Sequence, residues 1–349
     1  MINICITADY EVFLKKNYGT IDEVLISPTN YATEKLNSIG IPITFFVDTL
    51  YVGFLKKNKY IVEYERIKEN VRFLYASGNA IELHIHPHWP FTTLKDDEFF
   101  FDSKYYRVSE IESICGLEKM KEIVEDALYI LKEDLMGTVN DYSCKSYRAG
   151  GWSVQPENQI MSLLRDNEIM VDTSVLRNSC SGKGKMEYYD FRNVPSQTWW
   201  YFNIDKKITE EVLDISESSM MEISVYSVRG IQSIIHRLAG IIKRKVYRSE
   251  NTIKQGESCL ENKNIIEKIV NLFKEPIKFS LDNKDDICYY FRHLSKIHFK
   301  SNEVVCFYFH PKLITTEAID VLVEEIYKLN KNEYNFVTVP EIYEKLSKI

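Results

Sequence analysis

Three of the seven histidines in this 349-residue chain fall within five residues, in Ile81-Glu-Leu-His84-Ile-His86-Pro-His88-Trp-Pro90. Clustered imidazoles suit a divalent ion of the zinc type, which takes nitrogen and oxygen donors. At strand spacing His84, His86 and His88 share a face, and Pro87 predicts a turn after His86 that directs residues i and i+4 toward one ion. The oxygen donor is expected at another strand end. Asp9 directly follows the apolar run Ile2 to Ala8, with Glu11 two residues on and on the same face. His310 ends the apolar run Val304 to Phe309, and beside a metal it becomes a candidate general acid. Arg148 precedes Ala149-Gly-Gly-Trp152, where a guanidinium at a strand end can reach into a pocket and orient a carboxylate.

These residues need a scaffold that gathers strand ends, and the first half of the chain reads as repeated β-α units. Strands are predicted at Ile2 to Ala8, Pro42 to Val47, Ala80 to His84, Cys144 to Arg148 and Ile169 to Asp172. Helical spacing covers Asn30 to Ile39, Tyr60 to Ala76, Glu118 to Leu131 and Pro156 to Arg165. Near the other end, Val304 to Phe309 and Asn335 to Val339 read as strands and Pro340 to Leu346 as a helix. The alternation fails between Ser227 and Ser301, which turns rich in Lys and Asn, with a polar loop at Glu250 to Lys263; this stretch is expected to be a mostly helical insertion at about 227–301.

Composition narrows the function class. The 45% hydrophobic and 27% charged content is that of a globular chain, and 51 acidic against 44 basic residues argue against whole-surface nucleic-acid binding. The most apolar stretch, Ile41 to Leu55, is broken by Asp48 and is too short to span a bilayer, so no transmembrane segment is expected. Without a basic n-region or a cleavage site, the opening strand suggests the cytoplasm. Seven cysteines without CxxC spacing are expected as reduced, packed thiols.

The order Asp9, Pro42-Ile-Thr-Phe-Phe-Val47, Gly78 through His84 to His88, Arg148, Asp172 and His310 resembles the polysaccharide deacetylases, the NodB-like fourth carbohydrate esterase family. The resemblance covers about residues 1–175 and 302–345. It implies an α/β fold, a distorted, incomplete (β/α) barrel with its site at the C-terminal strand ends. It also implies one divalent ion, zinc by expectation, held by His84, His88 or its rival His86, and an acid. Asp9 would be the base, either Glu11 or Asp9 itself the oxygen ligand in place of the family's second adjacent acid, Arg148 the orienter of Asp9, and His310 the acid steadied by Asp172. Trp89 and Trp152 are the expected substrate-binding aromatics.

Several departures, among them Tyr10 after Asp9, Gly150-Gly151 after Arg148 and no Trp after Asp172, resemble a divergent branch found in lipopolysaccharide and capsule biosynthesis. The implied function is metal-dependent hydrolysis of an N- or O-acetyl group on a sugar in surface polysaccharide biosynthesis, with a lipid- or nucleotide-linked glycan among the substrates. The alternatives are another non-peptide C–N amide hydrolase and an inactive glycan-binding relative. Removing Asp9 or His310 is expected to affect chemistry and leave folding intact. Within the insertion, Ile231, Ile234, Ile235, Leu238, Ile241, Ile242 and Val246 recur at helical spacing beside Arg237, Lys243, Arg244, Lys245 and Arg248. This face, 231–248, is a candidate for peripheral contact with an anionic membrane or a diphosphate.

Overall fold

The computed structural model describes residues 1–182, 186–230, 234–239, 256–257, 275–296 and 302–348. Its main sheet is built from β1 (Ile2–Tyr10), β2 (Ile43–Asp48), β3 (Ala80–Ile85), β4 (Ser146–Ala149), β5 (Val171–Asp172), β6 (Trp199–Asn203), β7 (Ser219–Ile223), β8 (Val304–Phe309) and β9 (Tyr334–Phe336). The order is β6-β7-β5-β4-β3-β2-β1-β8, with β9 also on β1; every pairing is parallel except β6 with β7. Buried on both faces, parallel strands read as near-continuous apolar runs, and Ile43–Asp48 and Val304–Phe309 are buried at every position.

Helices α1 (Ser27–Asn37), α2 (Thr49–Lys57), α3 (Ile61–Ala76), α4 (Val108–Cys115), α5 (Leu117–Tyr129) and α6 (Asn158–Asp166) lie in the crossovers between the parallel strands. Of the face its periodicity predicts, helix α3 buries Tyr64, Ile67, Val71 and Leu74 and leaves Ile61, at its first position, exposed; it turns into β3 at Gly78, whose φ of +86° favours glycine.

The sheet curls until its two ends meet. Beyond β7, the amide of Tyr226 donates to the Cys306 carbonyl of β8 (3.1 Å), and Leu281 donates to the Tyr308 carbonyl (2.8 Å). These contacts are isolated bridges, Val225 with Cys306 and Ser280 with Tyr308, not a continuous ladder. The architecture is therefore a distorted, incomplete (β/α) barrel.

Two local differences from the sequence reading have clear causes. Val339 belongs to helix α9 (Val339–Leu346) and not to a strand, because Thr338 and Glu341 form a capping box that starts the helix there. Helix α2 was hidden inside the apolar stretch Ile41 to Leu55, which is strand up to Asp48 and helix from Thr49.

Of the stretch 227–301, helix α7 (Lys284–Leu294) buries Ile287, Tyr290, Phe291 and Leu294, and it packs on α8 (Thr316–Tyr327). In the basic segment 231–248, only 234–239 are described. They are helical, and Arg237 is engaged with the carbonyls of Glu275 and Pro276. Lys243, Arg244, Lys245 and Arg248 lie outside the described residues, as do most of the polar loop 250–263 and Cys259. The other six cysteines are free.

Candidate active site

Strand register assembles the site. β1 pairs with β8 from Asn3–Val304 to Ala8–Phe309, so the next residues at the barrel mouth are Asp9 and His310. On the other side Asp48 pairs with His84, and His84 with Arg148. Four separate stretches of sequence thus deliver an acid, two histidines and an arginine to one end of the barrel.

Glu11 occupies the centre. Its Oε2 lies 2.5 Å from Nε2 of His86 and 3.6 Å from Nε2 of His84, while Oε1 accepts from the Lys312 ammonium at 2.9 Å. Glu11, His84 and His86 place one donor atom each within 4.8 Å of one another. The Nδ1–H of His84 donates to the Arg148 carbonyl (2.8 Å), which turns its Nε2 toward Glu11, the ring orientation a metal ligand needs. Burial pushes the Glu11 carboxyl up, but Lys312, His86 and the hydrogen bonds from both histidines outweigh it and hold the group well below the usual carboxylate range. Two imidazole nitrogens and a carboxylate oxygen form a donor set that fits a zinc-like ion.

Between the two rival histidines, the geometry brings His86 to Glu11. His88 is fully buried, with neither ring nitrogen partnered, against Trp89 (4.7 Å) and Phe101 (4.1 Å). Burial and the neighbouring His86 hold its pKa well below the ordinary histidine value, so it is a neutral ring in an aromatic stack.

A second group of charges faces this trio. Asp9 Oδ1 accepts from Arg148 Nη1 at 2.5 Å, and Oδ2 lies 3.7 Å from His310 Nε2. His310 Nε2 is also 3.6 Å from Glu11 Oε1, and its Nδ1 is held by Asp282 Oδ2 at 2.9 Å. Burial disfavours the imidazolium, yet Asp282, Asp9 and Glu11 together raise the His310 pKa to about 9.

The partner of His310 is thus Asp282, which the sequence reading did not single out, and not Asp172. Asp172 sits further round the barrel, where it accepts from the amide and hydroxyl of Ser174 (2.8 and 2.9 Å) and shares a buried niche with Glu222. Burial and Asp172 push the Glu222 carboxyl well up. Lys312 is a second residue that the sequence reading missed. The run His310-Pro-Lys312 signalled only a turn, and Glu11 lies 301 positions away.

Trp152 flanks the site edge-on to Tyr308, with ring centroids 5.0 Å apart. The two preceding glycines have a steric role: a Cβ on Gly150 would stand 2.5 Å from the His86 ring, and one on Gly151 would stand 2.5 Å from the Tyr106 hydroxyl.

Trp89, the other expected substrate contact, is 1% exposed, and its indole N–H donates to Asp48 Oδ2 at 2.5 Å among Tyr51, Phe54 and Phe99. It supports β2 from within the core. Trp89→Phe is accordingly expected to cost about 1–3 kcal/mol, the penalty of an unpartnered buried acceptor, in denaturant unfolding. Substrate KM should stay unchanged; a raised KM with unchanged stability would contradict this placement.

No family model and no curated protein matches the chain. Solved structures match it over nearly its whole length. A protein assigned as a polysaccharide deacetylase from Mycobacterium smegmatis is 12% identical, with 99% of this chain and 90% of that chain covered and a TM-score of 0.49. The Xyl-CE4 domain of a multidomain xylanase from the hindgut metagenome of Trinervitermes trinervoides is 12% identical, over 99% and 91%, with a TM-score of 0.40. A family 4 acetyl xylan esterase from Clostridium thermocellum, in complex with a cobalt ion, is 12% identical over 99% and 92%, with a TM-score of 0.36.

Proposed function

We propose that this chain is a metal-dependent deacetylase that hydrolyses an N- or O-acetyl group on a sugar, in the assembly of a surface polysaccharide. The reading rests on one observation: a ligand trio, Glu11, His84 and His86, faces an acid–base pair, Asp9 and His310, each of which has its own charged partner. A divalent ion held by the trio supplies Lewis acidity toward an acyl oxygen and a water. Zinc suits these donors best.

The chain's own residues perform the proton transfers. Arg148 binds one oxygen of Asp9 and leaves Oδ2 to take the proton of the attacking water as that water adds to the acyl carbon. His310, positively charged at neutral pH and aimed by Asp282, gives its Nε2 proton to the nitrogen or oxygen that leaves as the acyl bond breaks. Trp152 and Tyr308 supply an aromatic flank against which a sugar ring can stack. Among the described residues no helix is long and apolar enough to cross a membrane.

The test is acetate release from a panel of free, nucleotide-linked and lipid-linked acetylated sugars, before and after chelation and with zinc or cobalt restored. The purified chain should hold about one ion, and His84→Ala should empty the site. Elemental analysis showing unchanged metal in that variant, or acetate release indifferent to chelation, would sink the proposal.

A further inference from the structure

The sequence Asp9-Tyr-Glu11 spaces its acids so that Glu11, not an adjacent second acid, meets the two histidines, and this brings an unusual neighbour. Lys312 is buried, and its ammonium donates to Glu11 Oε1 (2.9 Å) and to the Val12 carbonyl (2.8 Å) and stands 5.4 Å from the Phe13 ring centroid. The hydrogen bond to Val12 fixes the ammonium to the same backbone turn that carries Glu11. One carboxylate oxygen is therefore committed to the lysine, and the other faces His84 and His86. A carboxylate with both oxygens free can chelate an ion; one with an oxygen held by an ammonium presents a single donor.

We propose that Lys312 is a positioning residue that restricts Glu11 to one-oxygen ligation and, through its charge, keeps the ion loosely held and short of ligands. The assignment rests on the metal site proposed above. A buried positive charge on a ligand's far oxygen disfavours a nearby dication and draws electron density from the donor, so the ion keeps more of its Lewis acidity for the acyl group. It also leaves open the coordination position that the second oxygen would fill.

The test uses the full chain and cobalt(II), with calorimetry for affinity and visible absorption for coordination number. Cobalt with few ligands absorbs strongly, and six-coordinate cobalt weakly. Lys312→Met should bind cobalt about tenfold more tightly or better, because a like charge has gone, and its absorption should fall as Glu11 chelates. Lys312→Gln keeps a donor but not the charge: its affinity should rise while the spectrum stays that of the wild type. It also serves if the Met variant fails to fold. Lys312→Arg should restore wild-type affinity. Affinity and spectrum both unchanged in the neutral variants, or cobalt binding lost from a folded one, overturns the assignment. A wild-type chain that takes up no cobalt overturns the metal reading, and this assignment with it.

Discussion

His310→Ala is expected to lower turnover about 10²- to 10⁴-fold, the range typical of a lost general acid, with metal content unchanged. The prediction follows from placement: Nε2 stands within 4 Å of both Asp9 and Glu11, and Nδ1 is tied to Asp282. Asp282→Asn separates positioning from presence. The imidazole remains, but a main support of its charge is gone, so the alkaline limb of the pH–rate profile, set by a pKa near 9, should move to lower pH.

The same pair carries a stability signature. A histidine whose pKa is raised on folding adds stability fully below its unfolded value of about 6.5, and the contribution fades as pH rises through about 9. The stability difference between wild type and Asp282→Asn should therefore be largest near pH 6 and shrink toward pH 9.5. A limb that stays in place in Asp282→Asn would show that Asp282 does not govern the acid.

The second large effect is Asp9→Asn, for which the buried ion pair predicts a cost to folding as well as to chemistry. Arg148 is fully buried, and Asp9 is its carboxylate partner at 2.5 Å. Removing one member of a buried pair leaves the other charge uncompensated, which typically costs about 3–5 kcal/mol. Turnover should also fall about 100-fold or more as the base is lost. Denaturant unfolding checks the first effect and acetate release the second. The double variant Asp9→Asn, Arg148→Met should recover much of the stability and none of the activity. A single Asp9→Asn variant as stable as wild type would mean that Asp172, the other acid near Arg148, takes over the guanidinium.

The fold and part of the site were legible because both depend on abrupt local changes. An apolar run that ends on Asp9, His84 or His310 announces a strand terminus and what stands on it. Asp282 had no such signal. It lies 28 residues before His310 in a polar stretch, and it reaches the imidazole through a single bridge between Ser280 and Tyr308 that no periodicity encodes. Trp89 misled for the opposite reason: a tryptophan beside a histidine cluster reads as a platform, and only burial shows that it props up Asp48. Asp172 is at its expected strand end, but the curvature of the barrel carries it past Arg148 toward Glu222.

The pairing of β1 with β8 also bears on how the protein is made. The first strand of the chain finds its neighbour about 300 positions later, and its other neighbours start at Ile43 and Tyr334. Contacts of such long sequence separation form slowly, because a long loop must close before they reward the chain. During synthesis β1 therefore waits with one apolar edge unpaired, the kind of edge that recruits other strands and drives aggregation. Expression of chains shortened before Val304 should give insoluble material, whatever substitutions are made at the mouth of the barrel. Catalytic competence and protection from aggregation arrive together, when Val304–Phe309 covers the edge of β1 and sets His310 beside Asp9.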